Sequence, residues 1–178
     1  MQIVIIEGCD LAGKTYAIEK IGKYFNSGFV LKNTYKPKSL KDTNRIYQQY
    51  EHIMTCILDY LYASDEQYVF LDRFYPSQVV YSYMRKDDDA RTNRYQAIER
   101  RCLFNKVKYI YLDTPLDVLK QRYDERGDEH ITKEQIITIK ERYDAFYEHT
   151  KLDKIKINTL NKNWIKDVKK FIEVKNEY

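Results

Sequence analysis

Two glycines, a lysine and a threonine stand near the start of the chain at a spacing that binds phosphate: Gly8-Cys9-Asp10-Leu11-Ala12-Gly13-Lys14-Thr15. In a loop of this type the backbone N–H groups turn toward phosphate oxygens, and glycine permits the bends. Lys14 brings positive charge to the outer phosphates, and Thr15 offers a hydroxyl to a Mg²⁺ ion. The preceding run Ile3-Val4-Ile5-Ile6 is β-branched and unbroken, the pattern of a parallel strand buried on both faces. The helix predicted to follow begins at Lys14, so the positive end of its dipole faces the bound anion. Residues 8–15 are therefore expected to hold the phosphates of a nucleotide.

Other residues of chemical interest lie where further strands should end. Tyr68-Val69-Phe70-Leu71 reads as a buried strand running into Asp72-Arg73. A carboxylate at that edge lies in the crevice where open parallel sheets bind ligands, and it can serve Mg²⁺ or an acceptor oxygen. Arg73 beside it supplies a planar fork for an anionic group. Arg122 and Arg126, four apart before Gly127, share one helix face and suit a lid closing over transferring phosphate. The basic loop Lys36-Pro37-Lys38 could wall the substrate site. Tyr47 or Tyr50, on a predicted helix over 42–63, could stack on a substrate base. The carboxylates of Asp87-Asp88-Asp89 are expected only to hydrate. Cys9, Cys56 and Cys102 are far apart, so free thiols are expected; Cys9, inside the loop, could be sensitive to oxidation. His52, His130 and His149 make no ligand-spaced cluster.

The elements that must carry these groups follow from periodicity. Helical spacing covers 14–26, 42–63, 77–84, 91–104, 133–149, a helix with Pro115 in its first turn that carries Leu116, Leu119 and Tyr123 and that Gly127 can end, and a last helix around Trp164 to Ile172. Short apolar strands fall at Phe29 to Leu31, Tyr68 to Leu71, Val107 to Leu112 and Ile155 to Ile157. With the first strand, the strand–helix alternation recurs five times, which implies a parallel sheet covered on both faces by right-handed crossovers. The chain has 178 residues, 43% hydrophobic and 33% charged, a composition that excludes disorder and allows one sizeable core. No linker interrupts it, so residues 1–178 read as one domain. The net charge of +4 suits an anionic small substrate, and no nucleic-acid-reading motif is visible, so nucleic acid is not an expected partner. With no signal peptide and no long apolar span, the expectation is a cytoplasmic protein without a membrane partner.

Four separated stretches resemble the thymidylate kinase family. Glu7-Gly8-Cys9-Asp10-Leu11-Ala12-Gly13-Lys14-Thr15 is similar to E-G-x-D-x-x-G-K-T, and Asp72-Arg73-Phe74-Tyr75-Pro76-Ser77-Gln78-Val79-Val80-Tyr81 to D-R-Y-x-x-S-x-x-A-Y. Tyr111-Leu112-Asp113-Thr114-Pro115, followed by Arg122 and Arg126-Gly127, resembles Y-L-D-x-P and the lid. Tyr143 falls where the family has a tyrosine after the lid. The resemblance implies a P-loop three-layer α/β sandwich. Its five-stranded parallel sheet has the order 2-3-1-4-5, with flanking helices and a short lid over about 122–132. It implies transfer of the γ-phosphoryl of ATP, with Mg²⁺, to a deoxynucleoside monophosphate, usually dTMP. By matching position, Lys14, Arg122 and Arg126 would stabilise the transferring phosphoryl, and Thr15 and Asp72 would hold Mg²⁺. Arg73 would bind the acceptor phosphate, Asp10 the acceptor sugar hydroxyl, and Tyr81 would pack on the sugar, with Ser77 on the same side. Family members are commonly dimers, so a homodimer is implied.

The departures concern the acceptor. The family's R-E-P-G-G loop is Tyr35-Lys36-Pro37-Lys38-Ser39, so Lys36 or Lys38 stands in for its arginine as a point charge. The phenylalanine–arginine pair of the next helix has no counterpart, and the glutamine after the second tyrosine is Ser82. A deoxynucleoside kinase is therefore the alternative, the acceptor being either nucleotide or nucleoside. A GTP-binding switch is the more distant one: Asn105-Lys106-Val107-Lys108 lacks the aspartate that would pair with guanine.

Overall fold

A computed structural model of the protein describes residues 2–25, 29–32, 67–85, 92–128 and 131–173, with the separate residues 45, 49, 52, 53, 55, 56 and 63. Lys36, Tyr50, the loop 35–39, most of the helix expected over 42–63, and the run 86–89 lie outside the described residues.

Strand β1, Gln2–Gly8, is the centre of a parallel sheet. Strand β3, Tyr68–Asp72, lies on one side of it with Ile6 opposite Asp72. Strand β4, Lys108–Leu112, lies on the other with Gly8 opposite Leu112. Strand β5, Asp153–Ile157, continues beyond β4, and the backbone of β2, Phe29–Lys32, pairs along β3. The order is β2-β3-β1-β4-β5. Strands β1, β3 and β4 are apolar and buried through their middles because helices cover both faces.

The helices are α1, Lys14–Phe25; α2, Tyr75–Val80; α3, Thr92–Phe104; α4, Leu116–Arg126; α5, Lys133–His149; and α6, Trp164–Glu173. Gly127 ends α4 at φ 67°, its N–H bonded to the Tyr123 carbonyl at 2.7 Å. Thr132 and Gln135 cap α5 reciprocally. One expectation needs correction. The helix expected over 77–84 instead begins at Tyr75, with Pro76 in its first turn, and tightens after Val80 into a 3₁₀ turn, Tyr81–Arg85. The carbonyls that would continue the α ladder are taken by side chains. Arg142 donates Nε to Val80 O at 2.8 Å and Nη2 to Val79 O at 3.2 Å, and the Ser82 hydroxyl also donates to Val79 O.

Lys108 is a second departure from pattern, a lysine in a fully buried strand with its side chain 3% exposed. Its Nζ donates to Phe171 O at 2.5 Å and Ile172 O at 3.3 Å, closing the C-terminal end of α6, and Asp153 lies 3.8 Å away. A cation is favoured there because the last helical carbonyls carry the negative end of the dipole. Lys108→Ala leaves those carbonyls without this charged donor, so urea denaturation should show a loss of about 2 kcal/mol. A loss below about 0.5 kcal/mol, the level of an ordinary surface substitution, would contradict this role.

Candidate active site

The loop after β1 is shaped by its neighbours as much as by glycine. A Cβ on Gly8 would lie 3.1 Å from Leu112 Cβ and 3.2 Å from Leu112 O, so a side chain there would press on β4, and glycine suits the close approach of β1 to β4. Leu11 and Gly13 turn the loop at φ 68° and 84°, and Ala12 N donates to Cys9 O at 3.2 Å. Protein donors occupy two of the loop's carbonyls: Thr114 Oγ1 reaches Ala12 O at 3.0 Å, and Arg122 Nη1 reaches Leu11 O at 2.7 Å. A loop that is to take an anion must have such carbonyls engaged elsewhere, because only its N–H groups attract phosphate. Arg122 and Arg126 sit in the last turns of α4. Together with Gly13, Tyr16, Glu125 and Thr159 they line an open cleft of about 390 Å³ beside the loop.

Across the end of β1, the chain leaves β3 through Asp72 into Arg73. Arg73 has φ 65°, a left-handed conformation that costs a non-glycine residue about 1 kcal/mol or more. Its N–H bonds Ile6 O at 3.2 Å. Its Nη2 donates to Asp10 Oδ1 at 2.6 Å, and its Nη1 to Tyr143 Oη at 2.9 Å and Ser77 Oγ at 3.1 Å. The Tyr81 hydroxyl donates to Asp10 Oδ2 at 2.5 Å, and the Arg73 guanidinium lies 5.3 Å from the Tyr81 ring centre. Burial pushes the Tyr81 and Tyr143 phenols above their usual range, so both hydroxyls keep their protons. Asp10 thus meets Arg73 and Tyr81, more than sixty residues away in sequence, in one cluster that also holds Ser77.

Glu7 and Tyr143 join the same network, and residue-type reasoning passed over both as site residues. Glu7 is completely buried. Its Oε1 accepts the Phe74 amide at 2.7 Å and the Ser77 amide at 3.2 Å, and its Oε2 accepts Ser77 Oγ at 2.7 Å and Tyr143 Oη at 3.0 Å. Burial raises its pKa, opposed by the Arg73 charge, the Phe74 amide, the Ser77 hydroxyl and the Lys14 charge. A carboxylate closing an otherwise apolar strand was the available signal for Glu7. Tyr143 had only its place in the post-lid motif.

Lys14 is lowered to about 8, first by burial and then by the Arg73 charge. The Asp10, Asp72 and Glu7 carboxylates resist that fall, which places all four groups within electrostatic reach of it. Thr15 is exposed in the first turn of α1, and Asp72 is half-buried at the edge of β3. Among the described residues no three His, Cys, Asp or Glu side chains converge as a metal cage. A hydroxyl and a carboxylate are hard oxygen donors, however, and they fit a Mg²⁺ that takes its remaining ligands from phosphate and water.

Cys9 is buried and its thiol is pushed up to about 12, by burial and then by Asp10. Cys102 is buried and pushed up to about 12 as well, whereas Cys56 is exposed. Thiolate is the reactive form, so the oxidation sensitivity expected of Cys9 does not follow from its surroundings. With a disulfide reagent at about pH 8, Cys56 should react rapidly, and Cys9 and Cys102 only upon unfolding. Rapid labelling of Cys9 in the folded protein would contradict this arrangement.

No family model matches the chain. Its sequence is 26% identical over 143 residues to the SPbeta prophage-derived protein YorR of Bacillus subtilis (strain 168), covering 80% of each. Its fold is similar to the crystal structure of B. subtilis YorR in complex with phosphorylated GDP, with a TM-score of 0.74, 22% identity and coverage of 97% of this chain and 96% of that one. It is also similar to deoxyadenosine kinase from M. mycoides with the products dCMP and a flexible dCDP bound. There the TM-score is 0.56, with 15% identity and coverage of 95% and 97%. The same enzyme with bound dATP gives a TM-score of 0.56, 16% identity and coverage of 96% and 98%. In fold, then, the chain is an α/β protein with a helix-flanked parallel sheet, similar to the folds of YorR and of this deoxyadenosine kinase.

Proposed function

We propose that the protein transfers the γ-phosphoryl group of ATP to a deoxynucleoside monophosphate, with thymidylate the leading acceptor. One observation carries the reading. The loop that presents Lys14 also presents Asp10, and Asp10 is bonded to both Arg73 and Tyr81. A donor grip and an acceptor grip therefore share one short segment, the arrangement that in-line transfer between two bound substrates needs. The likeness to YorR with phosphorylated GDP and to deoxyadenosine kinase with deoxynucleotides supports a nucleotide substrate.

The chemistry asks little of the protein beyond position and charge. The loop 8–15 and Lys14 hold the β- and γ-phosphates, and Arg122 and Arg126 approach from the cleft side as the γ-phosphoryl moves. Thr15 and Asp72 would hold Mg²⁺, which supplies charge neutralisation on the phosphates. Asp10 takes the acceptor sugar hydroxyl, Tyr81 packs on the sugar, and Arg73 and Ser77 lie on the acceptor-phosphate side. An acceptor phosphate oxygen attacks the γ-phosphorus as the bond to the β-phosphate bridging oxygen breaks, and ADP leaves with that electron pair.

A specific observation favours a second reading. Arg73 already donates to Asp10, Ser77 and Tyr143, so much of its fork is engaged within the protein before any acceptor phosphate arrives. That suits a deoxynucleoside, which brings no phosphate; Asp72 would then receive its 5′-hydroxyl proton. An ADP-release panel separates the readings. Turnover should be highest with dTMP and other deoxynucleoside monophosphates; turnover confined to deoxynucleosides would overturn the leading choice.

Lys14 adds a pH test. Below about pH 8 the free protein carries Lys14 charged, and ATP binds without proton exchange. Above it Lys14 is neutral, and because polyphosphate restores its charged form, binding must take up a proton. Calorimetry in buffers of different ionisation enthalpy should show ATP affinity falling toward about tenfold per pH unit above pH 8, with proton uptake rising toward one. Affinity independent of pH between about 7 and 9.5 would contradict a Lys14 held near 8 in the free protein and recharged by the phosphates.

A further inference from the structure

The left-handed turn at Arg73 is fixed from both sides by two adjacent residues of β1. The Ile6 carbonyl takes the Arg73 N–H on the near side, and the Glu7 carboxylate takes the Phe74 and Ser77 amides on the far side. A non-glycine residue keeps such a conformation only where its surroundings over-determine it. The other Glu7 oxygen receives the Ser77 and Tyr143 hydroxyl protons, and those same two hydroxyl oxygens receive Arg73 Nη1. A carboxylate can only accept, so it turns both hydroxyl protons toward itself and leaves their lone pairs to the guanidinium.

We infer that Glu7 is a positioning residue that holds the turn at Arg73 and sets the polarity of the Ser77 and Tyr143 hydroxyls, so that the Arg73 guanidinium is aimed at Asp10 and the acceptor. The role rests on the proposed phosphoryl transfer, because it is exerted on the acceptor side of that reaction. Glu7 itself touches neither substrate.

Glu7→Gln keeps the shape and reverses the polarity. With the amide oxygen on the Phe74 and Ser77 N–H groups, the amide NH₂ faces the two hydroxyls and drives their protons toward Arg73. The test is a double-mutant cycle of Glu7→Gln with Arg73→Ala, read as KM for acceptor and for ATP. Glu7→Gln alone should raise the acceptor KM about tenfold or more while ATP KM stays within about threefold. In the Arg73→Ala background it should change acceptor kcat/KM by less than about twofold, because its only route is gone. Losses that multiply, or an equal rise in both KM values, would overturn the inference. Exchange of the Arg73 side-chain protons, followed by NMR on arginine-labelled protein without substrate, provides a readout that survives failure of the kinase reading. It should accelerate in Glu7→Gln, and unchanged exchange would overturn the role even if turnover is never found. Should Glu7→Gln fail to fold, Tyr143→Phe, which removes one of the two hydroxyls, must show the same split between acceptor and ATP and the same non-additivity; additive behaviour there overturns it equally.

Discussion

Strands β1 and β3 end side by side, with Ile6 opposite Asp72, and the candidate site groups extend from those two ends. One residue beyond Ile6 the chain supplies Glu7, and then the loop with Asp10, Lys14 and Thr15. One residue beyond Asp72 it supplies Arg73. The short crossing between them is spanned by the Asp10–Arg73 ion pair at 2.6 Å. A parallel sheet places the C-terminal ends of its strands along one edge, so groups separated by more than sixty residues can be brought into contact without a long loop.

The charge arrangement within this crossing is lopsided. Glu7, Asp10 and Asp72 face Lys14 and Arg73, yet burial and the Arg73 charge bring Lys14 down to about 8 despite those carboxylates. The arginine has both of its terminal nitrogens hydrogen-bonded within the protein, while the lysine is held in a position unfavourable to its own charge. A polyphosphate entering the loop relieves that condition, since it adds negative charge where the carboxylates fall short. Removal of one member of such a buried set leaves others uncompensated, which is why the arrangement is more informative about geometry than about stability.

Much of this was legible in residue order. A continuous β-branched run marked β1, short apolar runs marked the other buried strands, Gly127 marked the end of α4, and the Gly8-x4-Gly13-Lys14-Thr15 spacing marked the loop, because each signal is local. The glycine at 8 proved to serve the close approach of β4 as well as the loop, which no local pattern discloses. The helix near Tyr75 was misplaced because its start is set by Glu7, 67 residues from Phe74, and its tightening by Arg142, 62 residues from Val80. The convergence of Tyr143 with Ser77 and Arg73 was hidden for the same reason. Lys108 lay inside the apolar stretch Val107 to Leu112, and only the arrival of α6 makes it a buried partner for carbonyls. Lys36 and Tyr50 fall outside the described residues, so the side of the site that would read the acceptor base rests on sequence alone.

In the proposed reaction one loop grips the donor triphosphate while Asp10 and Arg73 present what receives its last phosphate. A crystal structure with a non-hydrolysable ATP analogue and thymidylate tests it most directly. Lys14 Nζ should then lie within hydrogen-bond distance of the β- or γ-phosphate oxygens, with the thymidylate sugar on Asp10 and an acceptor oxygen in line with the γ-phosphorus. A triphosphate bound away from residues 8–15, or a thymidylate that touches neither Asp10 nor Arg73, would contradict it.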